Sequence, residues 1–300
     1  MALTACALST SRIRLGPGVT HTATRHPSVV ACGFASLAEV APGRIDLAIG
    51  FGDSAIRGLG GKPVRLAKYR EDFELIRRLL AGEKVPYNGR EVKLAWSDAR
   101  LTRQIPLYVV PGGGPKGLTL AGELGQGVVL HSEEEEIAER MGHIASGAKK
   151  AGKTLKDVDI IWWPTASISD DWSKVREHLA PRIASGIRHA YYDYKRGSIQ
   201  KERLPVPLEL ARQVAEEYNF LEHATAGAEH SKLLDQVPDK VFREGHLAGS
   251  PREVAETVRR VVDTYPEIRQ VVLHIPVGTA RLSLGDILRS FATEVKPLLR

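Results

Sequence analysis

The segment LAIGFGDSA, Leu47 to Ala55, carries the spacing G-x-G-x-x-A at Gly50, Gly52 and Ala55. It follows an apolar run, and the acids Glu71 and Asp72 stand about 20 residues on. Two chemistries suit it. In a dinucleotide turn the third position opens a helix whose N–H groups hold a pyrophosphate. Alternatively, a strand ends here and presents Asp53 to a pocket, as a carboxylate that moves a proton or holds a ring nitrogen. The next residues, IRGLGGKP, place Gly58, Gly60 and Gly61 ahead of Pro63. Glycines so dense oppose a helix. Gly50-Phe51-Gly52-Asp53 therefore reads as a strand end running into a loop, with capping of the following turn as the plainer role for Asp53.

Gly112-Gly113-Gly114-Pro115-Lys116 links a strand to a helix that begins near Pro115. Bare backbone N–H groups at a helix start bind anions, and glycines allow close approach. The plainer alternative is a tight strand-to-helix turn. Arg25-His26-Pro27 opens another helix, with His26 as either its cap or a catalytic group. His21 and His26 have no third ligand suitably spaced, and Cys6 and Cys32 are the only cysteines, so no metal site is expected. His131 and His274 both end apolar runs that read as strands. Trp162, Trp163 and the Tyr191–Tyr194 cluster suit either a substrate pocket or core packing.

These residues need a scaffold of alternating strands and helices. Strands are expected at 12–19, 45–51, 105–111, 127–131, 158–166 and 270–276, several of them near-continuous Val, Ile and Leu, as in parallel strands covered on both faces. Leu66, Tyr69, Phe73, Ile76 and Leu80 form one helical stripe over 64–81, with Pro63 at its start. Val254, Val258, Val261 and Val262 form another over 252–264, and a terminal helix covers about 282–299. Residues 83–94 read as a hairpin around Asn88-Gly89. The acids of 133–136 read as a solvated helix start. Region 170–250 looks helical, broken at LPVP and GHLAG, and reads as an insertion. Six strand–helix units stand where a (β/α)8 barrel has eight, so the fold is either an open six-stranded sheet or a barrel whose first two units are absent.

Composition narrows the partners. The 300 residues are 43% hydrophobic and 26% charged, an ordinary globular balance. The net charge of +6 comes from residues 1–132, which carry 17 Lys and Arg against 10 Asp and Glu, but the cations are dispersed. A nucleic-acid footprint would be clustered, so an anionic cofactor or substrate is the better match. No apolar run approaches the ~18 residues of a membrane span. No acid precedes Glu39, as in a transit peptide, yet SRIRLGPGVT reads as a helix end running into a strand.

In order along the chain, SRIRLGPGVTHTATRHP, LAEVAPGRIDLAIGFGDS, the PLYV–GPK–LAGE–GVVL series from Pro106 to Leu130 and the closing GSPREVAE–VVL resemble the bacterial luciferase-like superfamily. The resemblance is to its branch of deazaflavin-dependent methylenetetrahydromethanopterin reductases, and it covers about 1–132 and 245–300. It implies an α/β TIM barrel, one domain over 1–300 with 170–250 inserted and about six of eight strands present. It further implies an oxidoreductase that passes hydride between FMN or the deazaflavin coenzyme F420 and a small organic substrate, with oxygen activation in the FMN case. A cis peptide is implied at Gly18–Val19, with Gly18, Val19 and Thr20 behind the cofactor ring. Gly50 and Gly52 would keep the next strand end slim, with Asp53 and His26 as the catalytic candidates. The cofactor phosphate would lie on Gly112, Gly113, Gly114, Pro115 and Lys116, with His131 at the same mouth. A cytoplasmic homodimer is implied as well. Two other readings stand beside this one: a non-catalytic or partner-subunit member, and an open-sheet NAD(P)-dependent dehydrogenase.

Overall fold

The computed structural model describes residues 1–52, 55–56, 59–112, 114–132, 134–218, 232–276 and 281–299. Asp53, Gly58, Gly113 and Glu133 lie outside the described residues. The strands are β1 (Thr20–His21), β2 (Leu47–Gly50), β3 (Val85–Tyr87), β4 (Arg90–Val92), β5 (Leu107–Val110), β6 (Gly127–Leu130), β7 (Asp159–Trp162), β8 (Ala166–Ile168), β9 (Leu247–Gly249) and β10 (Ile268–Val271). The contacts divide the chain into two compact units.

The first unit is built of residues 1–131, 138–162 and 267–270. Its sheet runs β1-β2-β5-β6-β7-β10, with the pairs from β1 to β7 parallel. Strands β2 and β6 are buried at every residue, as their unbroken apolar composition requires. Within this sheet the strands lie side by side in chain order, with β3–β4 and β8–β9 paired apart from it. A doubly wound dinucleotide fold instead reverses its strand order at the ligand crevice. The order therefore matches a run of barrel strands and sets the dehydrogenase reading aside.

The helices follow their stripes. In Leu66–Leu80, Tyr69, Phe73, Ile76 and Leu80 are each no more than 1% exposed. This helix starts three residues after Pro63, because the Val64 N–H donates to the Phe51 carbonyl at 3.2 Å and holds that stretch extended. The preceding loop is less open than its glycines imply: Ala55 and Ile56 are helical, and the Ile56 N–H donates to the Gly52 carbonyl at 3.0 Å. Gly60, at φ 74°, follows that turn. The hairpin β3–β4 turns through Asn88 (φ 49°) and Gly89 (φ 74°), the left-handed pair a two-residue connection needs.

The expected strand at 12–19 is reduced to fragments. Leu15 bridges Ile45, while β1 itself lies at Thr20–His21. Between them Pro17 has no N–H to give a ladder, and the Gly18–Val19 peptide is cis.

The second unit holds residues 132–137, 163–266 and 271–300. Its core joins Val175, Leu179, Ile183 and Ile187 of the Trp172–Lys195 helix to Leu210, Val214 and Phe242. Region 170–250 is helical as expected but also contains a strand: β9, within the supposed break GHLAG, pairs in parallel with β8. The expected strand at 158–166 is interrupted at Pro164, giving β7 and β8, and the one at 270–276 begins two residues earlier as β10. His274 then makes only an isolated bridge to Thr165. The Pro251–Thr264 helix opens with a capping box between Ser250 and Glu253. Among the described residues no helix is long and apolar enough to cross a membrane.

Candidate active site

In the first unit the parallel register brings strand ends to one level. His21 pairs with Gly50, and Gly50 with Val110. Residues just past these positions therefore share one rim, the end of a parallel barrel sheet where sites form.

The glycines of this rim are required by their neighbours. A Cβ on Gly50 would come within 2.9 Å of Val19 Cγ2. Gly52 has φ 77°, and a Cβ there would lie 3.0 Å from both His21 Nδ1 and Ala23 Cβ. Both glycines thus let the β1 side chains close down on β2. Beside them the Phe51 ring stacks on Tyr69 at 4.1 Å, and the Tyr69 hydroxyl donates to the Ile49 carbonyl at 2.7 Å. Burial pushes the Tyr69 phenol well above its ordinary value, so it remains a neutral donor.

Beyond β5 the chain enters the glycine loop. Gly114 is the N-cap of the Pro115–Leu124 helix, and the Gly117 and Leu118 N–H groups return to its carbonyl at 3.0 and 3.2 Å. A Cβ on Gly112 or Gly114 would meet nothing within 4 Å, so this backbone faces open space. Lys116 forms no ion pair among the described residues. Phe51, Pro63, Val64, Leu66 and this loop enclose a recess of about 580 Å³. Apolar walls, an open backbone and one amine make a site for a ligand with a flat apolar part and an anionic end.

The end of β1 supplies groups that the sequence reading missed. His21 Nδ1 and Thr22 Oγ1 are buried without a hydrogen-bond partner. Native interiors rarely leave such atoms unpaired, because each costs about 1–3 kcal/mol. Burial, then the nearby Arg25 charge, lowers the His21 pKa, so its imidazole is neutral at pH 7. In the sequence His21 stood out only as half of a rejected metal pair.

The other expected residues fall as follows. Thr20 lies in β1 beside Ile49. His26 caps the Pro27–Val40 helix, its Nδ1 accepting from the Ser28 N–H at 3.2 Å, and its ring packs edge-on to Tyr87 at 5.0 Å. His131 directly follows β6, and its carbonyl accepts from Arg140 at 3.4 Å. In the second unit His274 Nδ1 lies 3.2 Å from Thr165 Oγ1, with Trp163 edge-on at 5.3 Å. Burial above all, with the Arg182 charge, lowers His274 and His246 to about 4. Trp162 and Tyr191 are buried, while Tyr192 is exposed.

A barrel-type parallel sheet with an anion-ready glycine loop at its strand ends defines a class of cofactor-binding α/β enzyme folds. The family model described as luciferase-like monooxygenase matches residues 1–267, and the chain belongs to that family. The 5,10-methylenetetrahydromethanopterin reductase of Archaeoglobus fulgidus is 30% identical over 286 residues, which are 92% of this chain and 81% of the relative. An F420-dependent glucose-6-phosphate dehydrogenase of Kineococcus radiotolerans is 29% identical over 314 residues, covering 98% of this chain and 80% of the relative. The solved structure of the coenzyme F420-dependent tetrahydromethanopterin reductase from Methanopyrus kandleri superposes with a TM-score of 0.75 at 25% identity, covering 99% of this chain and 86% of that one.

Proposed function

We propose that this chain is an oxidoreductase that passes hydride between a ring cofactor in the β2–β5 recess and a small organic substrate. The cofactor favoured is F420, with FMN as the rival. The recess itself carries the reading: an apolar wall ends in the open backbone at Gly112 and Gly114, a helix N-terminus and the Lys116 amine. The residues present fit such a group, because His21 Nδ1 and Thr22 Oγ1 are left unpaired at the neighbouring strand end. Relatives whose names specify F420 tilt the choice toward the deazaflavin.

The chain's own part is binding, orientation and proton control. Gly112, Gly113, Gly114 and Lys116 take the phosphate on backbone N–H groups and one ammonium, while Pro115, which has no N–H, opens the helix beside it. Gly18, Val19 and Thr20 back the ring, Gly50 and Gly52 let Val19 and His21 reach it, and His131 flanks the same rim. When bound, the cofactor supplies the hydride position, C5 in a deazaflavin and N5 in a flavin. Asp53 is the acid proposed to move the accompanying proton. His26 is proposed to hold the helix start beside the rim through its cap. A homodimer completes the reading, and light scattering of the purified chain tests it.

Titration with F420 and FMN in parallel tests the cofactor assignment, and saturable binding of F420 is the expected result. If neither cofactor saturates the protein, the reading is wrong. For the proton role, Asp53→Ala should abolish turnover while cofactor affinity holds. Unchanged turnover would leave Asp53 as a turn cap.

A further inference from the structure

We infer that the groove between the Leu66–Leu80 and Pro115–Leu124 helices is a second anion subsite, which takes a carboxylate-bearing tail continuing past the cofactor phosphate. The inference rests on the cofactor reading above and extends it to residues outside the recess.

A cavity of about 340 Å³ lies in this groove and shares Leu66, Pro115 and Lys116 with the recess, so the two spaces adjoin at these residues. Its charged lining is Arg70, Lys116 and Lys150 against Glu123 alone. Glu123 is largely buried and pairs with both Arg70 and Lys150, the latter at 3.6 Å. One carboxylate thus gathers two cations while satisfying only part of their donor capacity: a guanidinium carries five N–H donors and an ammonium three. The surplus of positive charge faces the groove. Lys116 and Glu123 are seven residues apart on one helix, about 10 Å along its axis. A ligand anchored by phosphate near Lys116 needs a tail of only a few residues to reach Arg70 and Lys150.

This chemistry separates the two candidate cofactors. FMN ends at its phosphate, whereas F420 continues beyond it into glutamyl residues, each bearing a carboxylate. A groove whose net charge is positive has no task toward FMN and a direct one toward a glutamyl tail.

The test is a fluorescence titration of the full chain with two deazaflavin phosphates, one without glutamyl residues and one carrying several. Wild-type protein should bind the tailed form about tenfold more tightly, since each exposed charge pair contributes up to about fivefold. The double substitution Arg70→Gln/Lys150→Gln should erase that difference and leave the affinity for the tail-less form unchanged. High salt should erase it too. Lys150→Glu gives a second reading should the double variant fold poorly. Equal affinities in wild type, or a tail preference that survives these substitutions in folded protein, would overturn the subsite. If FMN binds and the tail-less deazaflavin does not, the cofactor reading itself fails, an outcome distinct from the loss of tail preference alone.

Discussion

At the residue scale, the rim glycines, His26 and the buried histidines each make a measurable demand. Gly50→Ala drives a methyl into Val19 Cγ2, so loss of stability and of cofactor affinity should appear together. Gly52→Ala adds a left-handed conformation costing about 1–2 kcal/mol to the clash with His21. His26→Ala removes a side-chain cap and should cost about 1 kcal/mol in denaturant melts. Should it leave stability intact and slow turnover instead, His26 belongs to the chemistry. His246 and His274 are held neutral, with folded pKa values near 4 against an ordinary 6.5. The unfolded state therefore binds more protons between these values, and the stabilisation is fully present above about pH 6.5 and is lost as pH falls toward 4. Acid melts should show that slope, and His246→Gln should flatten it. A stability profile level from pH 7 to 4 would contradict this account of the two histidines.

At the scale of elements, regular stripes were easily read and special backbone was not. The periods of Leu66–Leu80 and Pro251–Thr264 show where these helices lie, because burial needs one apolar face. Pro63 misled by position: a proline suits a helix start, but here the next N–H is spent on Phe51. The strands at 12–19 and 158–166 are cut at prolines that an apolar count ignores. Strand β9 was hidden because LAG is too short to show a period. The open backbone at Gly112 and Gly114 was legible from composition, whereas the unpaired atoms of His21 and Thr22 depend on how β1 packs against β2 and leave no mark in the sequence. Tyr69→Phe tests this packing: losing the hydroxyl that donates to Ile49 should cost about 1 kcal/mol and loosen Phe51 above it.

For the whole molecule, consecutive strand order distinguishes a barrel run from a dinucleotide sheet, and motif order along the chain pointed the same way. Fold class was therefore legible in the sequence, while the substrate was not, because no motif along the chain specifies one. The central claim is that an anionic cofactor lies on the Gly112–Lys116 loop. Gly114→Asp tests it most directly, by cofactor titration alongside a thermal melt. Aspartate is a good N-cap, and a Cβ at Gly114 would meet nothing within 4 Å, so the fold should hold or gain slightly. The same carboxylate would sit where the phosphate is placed, and affinity should fall at least about tenfold through like-charge repulsion. A variant that melts like wild type and binds F420 with undiminished affinity would contradict the account.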